Sequence, residues 1–212
     1  MRRDDLLKLY AEIKPVILTK MNSFQKTWEN GNVAIWQELC FCILTANTSA
    51  SLALLTMEKL VSINFDSPSE ILTVLKKWYR FYNTRTDYIT TTREFLKQDC
   101  SLDLKQKIES FGSDKISLRD YFALTKLIKG LGFKESSHFL RNIGFLGYSI
   151  LDKHIMRSLV EFDVVSSVKP PRNRSEYLTV ETLMQQFAKN LSISVDHLDL
   201  LLWYRKTGEI IK

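Results

Sequence analysis

Apolar residues recur three and four positions apart along almost the whole chain, and no segment alternates apolar with polar over the length of a strand. That period suits the amphipathic helix, which buries one face and leaves the other in water. Glycine and proline point the same way. The chain holds 7 glycines and 4 prolines in 212 residues, where average usage of roughly 7% and 5% would supply about 25 in all. Turn-rich all-β folds, collagen repeats and low-complexity linkers are excluded, and the fold class is all-α. Helices are expected over 4–13 and 16–28, divided at Pro15. Others follow over 33–45, 49–60, 84–97, 102–111, 117–127, 134–143, 153–162, 175–190 and 195–207. One more starts after Ser67, which stands as N-cap with Pro68 at the first helical position and Glu70 closing a capping box. The basic, proline-containing stretch 166–174 reads as a long loop or hinge.

Cys40, Cys42 and Cys100 match neither a disulfide scaffold nor the four-ligand spacing of a zinc or iron–sulfur site. They are expected as reduced thiols, Cys40 and Cys42 packed within an apolar helix alongside Ile35, Leu39 and Ile43. No run of about 18 apolar residues occurs, and the opening Met-Arg-Arg-Asp-Asp lacks the apolar core of a signal peptide. A cytoplasmic protein, neither secreted nor membrane-spanning, is the expectation. The net charge of +6 is a weak pointer to nucleic acid by itself. Its placement says more. Between Lys129 and Arg174 lie eight Lys/Arg and four acids, so this stretch carries +4 of the total. Four of the glycines (Gly130, Gly132, Gly144 and Gly147) fall inside it.

Leu127-Ile128-Lys129-Gly130-Leu131-Gly132-Phe133-Lys134 joins two amphipathic helices through a Gly-x-Gly turn. The amides ahead of the second helix are expected to point outward at the positive end of its dipole, a backbone cradle for phosphate. The same pattern also fits a plain helix–helix corner. It is no dinucleotide fingerprint, because Glu135 stands where the third glycine is due and no strand precedes it. Lys134, in the first turn of that helix, is poorly placed for stability as a cation and well placed as an amine nucleophile. Phe139, Leu140 and Ile143 give the helix an apolar face, while His138 and Arg141 follow Lys134 at i+4 and i+7 on another side. Eighteen residues after Lys134, Asp152 opens a further helix, as an ordinary N-cap, a functional carboxylate, or both.

Gly-Leu-Gly-Phe-Lys134 followed at this spacing by Asp152 resembles the helix-hairpin-helix DNA glycosylase superfamily with its catalytic lysine and aspartate. The fuller string from Ile128 to Asn142 is similar to the archaeal-type 8-oxoguanine DNA glycosylase/lyase. So are Leu44-Thr45-Ala46-Asn47-Thr48-Ser49-Ala50 and the last eleven residues, from Leu202 to Lys212. The resemblance implies two helical subdomains with a base-binding cleft between them. One spans 31–149 and ends in the hairpin; the other combines 1–30 with 150–212.

It implies further that Lys134 attacks the sugar C1′, forms a Schiff base and allows β-elimination, and that Asp152 stabilises the developing positive charge. Asn47 is expected to fill the gap left by an extruded base, or else to cap a helix. Phe81 and Trp203 are candidates to stack on the damaged purine and Lys212 to reach it; core packing is the rival reading for the two aromatics. Gly130, Gly132, Lys129, His138 and Arg141 are expected at the DNA backbone, with a structural role open for His138. No cofactor and no iron–sulfur cluster are implied, although hairpin carbonyls hold a monovalent cation in related proteins. The partner is damaged, double-stranded DNA with the lesion flipped out, bound by a monomer. Excision of another lesion, or DNA binding without catalysis, are the alternatives.

Overall fold

The computed structural model describes residues 3–46, 48–63 and 65–210. Eleven helices and no strand occur among the described residues. They are α1 (Arg3–Glu29), α2 (Gly31–Thr45), α3 (Ala50–Val61), α4 (Pro68–Lys76), α5 (Tyr82–Cys100), α6 (Leu104–Glu109), α7 (Lys115–Leu124), α8 (Phe133–Asn142), α9 (Lys153–Glu161), α10 (Arg174–Asn190) and α11 (Val195–Thr207). Short polar side chains set most of the starts. Ser49, Ser67, Asp103, Asp114, Asn173 and Ser194 each accept a hydrogen bond from an amide in the first turn that follows. Such caps contribute about 1 kcal/mol each.

The break expected at Pro15 is absent. α1 runs through it, because a single stripe of Leu6, Ile13, Ile17 and Phe24 is buried on both sides of the proline. Pro15 and Ala11, whose carbonyl the missing N–H leaves without a helical partner, are both exposed, so that carbonyl is not buried unsatisfied. No helix among the described residues is long and apolar enough to cross a membrane.

The chain divides into two compact units. One is Thr27–Phe139; the other combines Met1–Lys26 with Leu140–Lys212. The divisions fall inside α1 and α8, where the sequence had suggested 30/31 and 149/150. The second lies earlier because Arg141, on the last turn of α8, is tied to Phe24 and Asp199.

In the first unit α2 is the central helix, buried almost all round from Ile35 to Thr45, with α3, α5 and α6 packed on it and α4 on α5. Cys40 and Cys42 are enclosed there, and burial pushes the Cys40 thiol well above its ordinary value, which leaves it unreactive. In the second unit α9 and α10 pack on α11, whose Leu198, Leu200, Leu201 and Leu202 are fully buried. Burying a leucine contributes roughly 1.5–3 kcal/mol.

Candidate active site

In the unit Thr27–Phe139, α7 ends at Leu124 because Thr125 turns extended, at φ −67° and ψ 113°. The connection to α8 is pinned by buried Ile128 and Leu131, and the Lys129 amide donates to Thr92 Oγ1 at 2.8 Å. The two hairpin glycines do different things. Gly130 is left-handed at φ +77°, and a Cβ there would stand 2.6 Å from Tyr88 Cδ2 and 3.3 Å from Ile43 Cγ2. The fold itself demands that glycine. Gly132 is exposed, and a Cβ on it would meet only Glu135 Oε2, at 3.5 Å. Nothing inside the unit forbids a side chain at Gly132, which leaves its backbone open to a group arriving from outside.

Gly132 caps α8. Its carbonyl accepts from Ser136 N at 2.9 Å, and its own amide donates to Glu135 Oε2 at 3.3 Å. The expected outward cradle is therefore partly filled by a carboxylate of the same chain. Glu135 Oε1 also lies 3.5 Å from Lys134 Nζ, whose side chain remains part-exposed. Glu135 thus engages both the Gly132 amide expected to face phosphate and the Lys134 side chain expected as the nucleophile. Capping-box spacing was the available signal for it.

Two expected backbone contacts are corrected. His138 is 8% exposed and lies edge-on to Phe41, ring centroids 5.9 Å apart, so it packs internally instead of reaching phosphate. Arg141 is 2% exposed. Its Nη1 donates to Asp199 Oδ2 at 2.7 Å, and its guanidinium stacks 5.1 Å from the Phe24 ring centroid. Burial pushes the Asp199 carboxyl up to about 7, against the pull of Arg141 and of the Ile150 amide. Arg141 is a buried ion-pair partner, and no phosphate reaches it in this packing.

Phe81 stands just before α5 with 55% of its surface exposed and the Arg80 guanidinium 5.2 Å from its ring centroid. Tyr79 is buried, and desolvation pushes its phenol up to about 12. Buried Arg85 donates to the carbonyl of Ala46, where α2 ends, and stacks on Tyr88, the ring that fills the space beside Gly130. Asn47, which follows Ala46, lies outside the described residues, as does Lys212.

In the other unit Asp152 caps α9 at φ −87° and ψ 178°. Both bonds go to one oxygen: Oδ1 accepts from His154 N and Ile155 N, each at 2.8 Å. The cap fixes the carboxyl group while leaving Oδ2 with no hydrogen bond among the described residues. Trp203, on α11, meets the His154 ring edge-on at 5.4 Å. α9 and α11 pack together, so within this unit the tertiary structure gathers Asp152 and Trp203 onto neighbouring helices. The indole Nε1 of Trp203 is buried with no partner among the described residues. Among those residues no group of three or more His, Cys, Asp and Glu is arranged to hold a metal ion.

A family model described as 8-oxoguanine DNA glycosylase, of helix-hairpin-helix type, matches residues 17–193. The 8-oxoguanine DNA glycosylase/AP lyase of Methanocaldococcus jannaschii is 33% identical over 204 residues, covering 95% of this chain and 94% of that protein. That of Thermoplasma acidophilum is 35% identical over 202 residues, covering 94% and 93%. Among solved structures, the M. jannaschii 8-oxoguanine glycosylase/lyase in complex with a 15mer DNA containing 8-oxoguanine superposes with a TM-score of 0.88 at 32% identity. The match covers 99% of each chain. The 8-oxoguanine DNA glycosylase of Thermotoga maritima gives 0.86 at 28% identity, covering 99% and 98%.

Proposed function

The chain belongs to the helix-hairpin-helix 8-oxoguanine DNA glycosylase family, and on that premise we propose that it excises 8-oxoguanine from duplex DNA and then cleaves the strand at the abasic site. Lys134 is the nucleophile. Its neutral amine attacks C1′, and the N-glycosidic bond breaks with its electron pair leaving on the base, which takes up a proton. Sugar ring opening gives a protonated Schiff base between Nζ and C1′. Loss of a C2′ proton then expels the 3′ phosphate oxygen by β-elimination, and water hydrolyses the imine to free the lysine. Asp152 supplies fixed negative charge where the sugar becomes cationic and accepts the lysine proton. Its N-cap bonds support that role by holding the carboxyl group in one orientation before the substrate arrives. None of these steps draws on a cofactor.

The lesion is turned out of the stack by a monomeric enzyme that associates with the nucleoid through DNA. Phe81 and Trp203 supply the stacking faces, Lys212 contacts the base and Asn47 fills the gap. DNA phosphate approaches the exposed backbone at Gly132 and, with it, Lys129.

The observation that carries this reading is the part-exposed amine of Lys134 in the first turn of α8, two residues after a glycine that nothing in its own unit requires. Borohydride trapping tests it. A covalent adduct should form with 8-oxoguanine duplex and vanish in Lys134→Gln. Wild-type protein that traps on no lesion duplex at all is a DNA-binding module. Trapping confined to an oxidised pyrimidine or a mismatch would instead reassign the substrate.

A further inference from the structure

The segment leading to Asp152 has no regular secondary structure, yet its polar backbone is bound almost residue by residue. Gly147 N donates to Asp196 Oδ1 at 2.8 Å, Ser149 N to Glu181 Oε1 at 3.0 Å and Ile150 N to Asp199 Oδ1 at 3.0 Å. Leu151 N donates to Tyr177 Oη at 3.3 Å, and the same hydroxyl donates to the Ser149 carbonyl at 2.6 Å. Gln185 Nε2 reaches the Gly147 carbonyl at 3.3 Å. Finally, the Asp152 amide closes a tight turn on the Ile150 carbonyl at 2.8 Å.

The three carboxylates are 2–7% exposed, and one of them is locked in turn by Arg141. Carboxyl oxygens accept strongly from backbone amides, and most strongly when ionised. Burying three carboxyl groups is a costly way to satisfy a loop, unless the loop must be held in one place. All the anchors stand on α10 and α11, elements rigid enough to hold a site to sub-ångström tolerance.

We infer that Tyr177, Glu181, Asp196 and Asp199 are positioning residues that clamp segment 147–151 so that the Asp152 carboxylate is presented in a single geometry. They set the rate of the chemical step and not the affinity for DNA. The inference rests on the proposed role of Asp152 in the reaction.

The test compares single-turnover excision from an 8-oxoguanine duplex with equilibrium binding of the same duplex. The variants are Tyr177→Phe, Glu181→Ala and Glu181→Gln, each alone and combined with Asp152→Asn. Tyr177→Phe keeps the ring and removes only the hydroxyl, so it reports on the clamp even where Glu181→Ala fails to fold. Tyr177→Phe and Glu181→Ala are expected to slow excision by about tenfold to a hundredfold, the cost of misplacing a reacting group by roughly 1 Å. Binding should stay within about twofold, a negligible change in free energy. Glu181→Gln keeps an oxygen for Ser149 N and should restore most of the rate.

Added to Asp152→Asn, none of the three should slow excision further, because the group they place is already lost. Undiminished slowing in that background overturns the clamp, as does a wild-type rate in Tyr177→Phe. A wild-type rate in Asp152→Asn alone overturns the role of Asp152 instead, so the two failures are distinct.

Discussion

Replacing Gly130 by alanine isolates what the hairpin asks of its backbone. The left-handed conformation, φ +77°, costs an L-residue roughly 1–2 kcal/mol. The new methyl would lie 2.6 Å from Tyr88 Cδ2 and 3.2 Å from Cε2, so the ring must move. Forcing such an extra carbon into a packed site costs about 1–3 kcal/mol. Reduced freedom in the unfolded chain returns about 0.4–1 kcal/mol. The net loss is therefore roughly 3 kcal/mol, about 6–12 °C in the unfolding midpoint of a chain this long.

Gly112 is the control: it is also left-handed, at φ +55°, but a Cβ there meets nothing within 4 Å. Gly112→Ala should cost only about 1 kcal/mol, the conformational part. Calorimetry of the two variants separates clash from conformation, and Tyr88→Leu should recover much of the loss in Gly130→Ala but not in Gly112→Ala. Displaced Tyr88 also disturbs Arg85, which stacks on it and holds the Ala46 carbonyl, so excision should fall together with stability. Equal costs at Gly130 and Gly112, or no recovery with Tyr88→Leu, would refute the packing explanation.

Gly132→Ala should behave in the opposite way, with stability within about 0.5 kcal/mol of wild type. Its affinity for undamaged duplex should fall about tenfold, near 1.4 kcal/mol, as measured by anisotropy titration; unchanged affinity would remove Gly132 from the DNA interface. Phe81→Ala, at an exposed ring, should leave the melting temperature alone but slow 8-oxoguanine excision by the value of one stacking contact, about 1–3 kcal/mol. Strand cleavage at a preformed abasic site should be spared, and equal loss of both activities would discard the stacking role. Asp66, hydrogen-bonded to Arg93 at 2.7 Å, has its carboxyl held below the usual range by that bond. A depressed carboxylate stabilises the fold above its unfolded value, near 3.9, and loses that contribution as pH falls through its folded value. Asp66→Asn should therefore lower stability at pH 7 by less than about 1 kcal/mol, because the Asp66 carboxylate is half-exposed, and should match wild type in strong acid. A difference that persists at the lowest pH would exclude the ion pair as its cause.

Much of the molecule was legible because its signals are local. The helical period, the caps at Ser67 and Asp152, and the scarcity of glycine depend on neighbours within one turn. Lys134 stood out for the same reason, as a cation in a first turn behind two glycines. Pro15 was misread through the opposite failing. One missing N–H is a local loss, while the buried stripe from Leu6 to Phe24 that outweighs it is a tertiary gain.

The sequence by itself determined the all-helical class, the positions of most helices and the hairpin with its lysine and spaced aspartate. Only the tertiary structure decided which polar residues face inward. Arg141 shares a helix with Lys134 and carries the charge of a phosphate contact, yet it is buried against Asp199, 58 positions away. Glu181 and Tyr177 show nothing in their own helix that marks them as anchors for residues 149–151. Helical period and capping are written within four residues of chain. The partner of a buried charge is fixed by which surfaces meet after the chain has folded back on itself, and no local pattern encodes that distance.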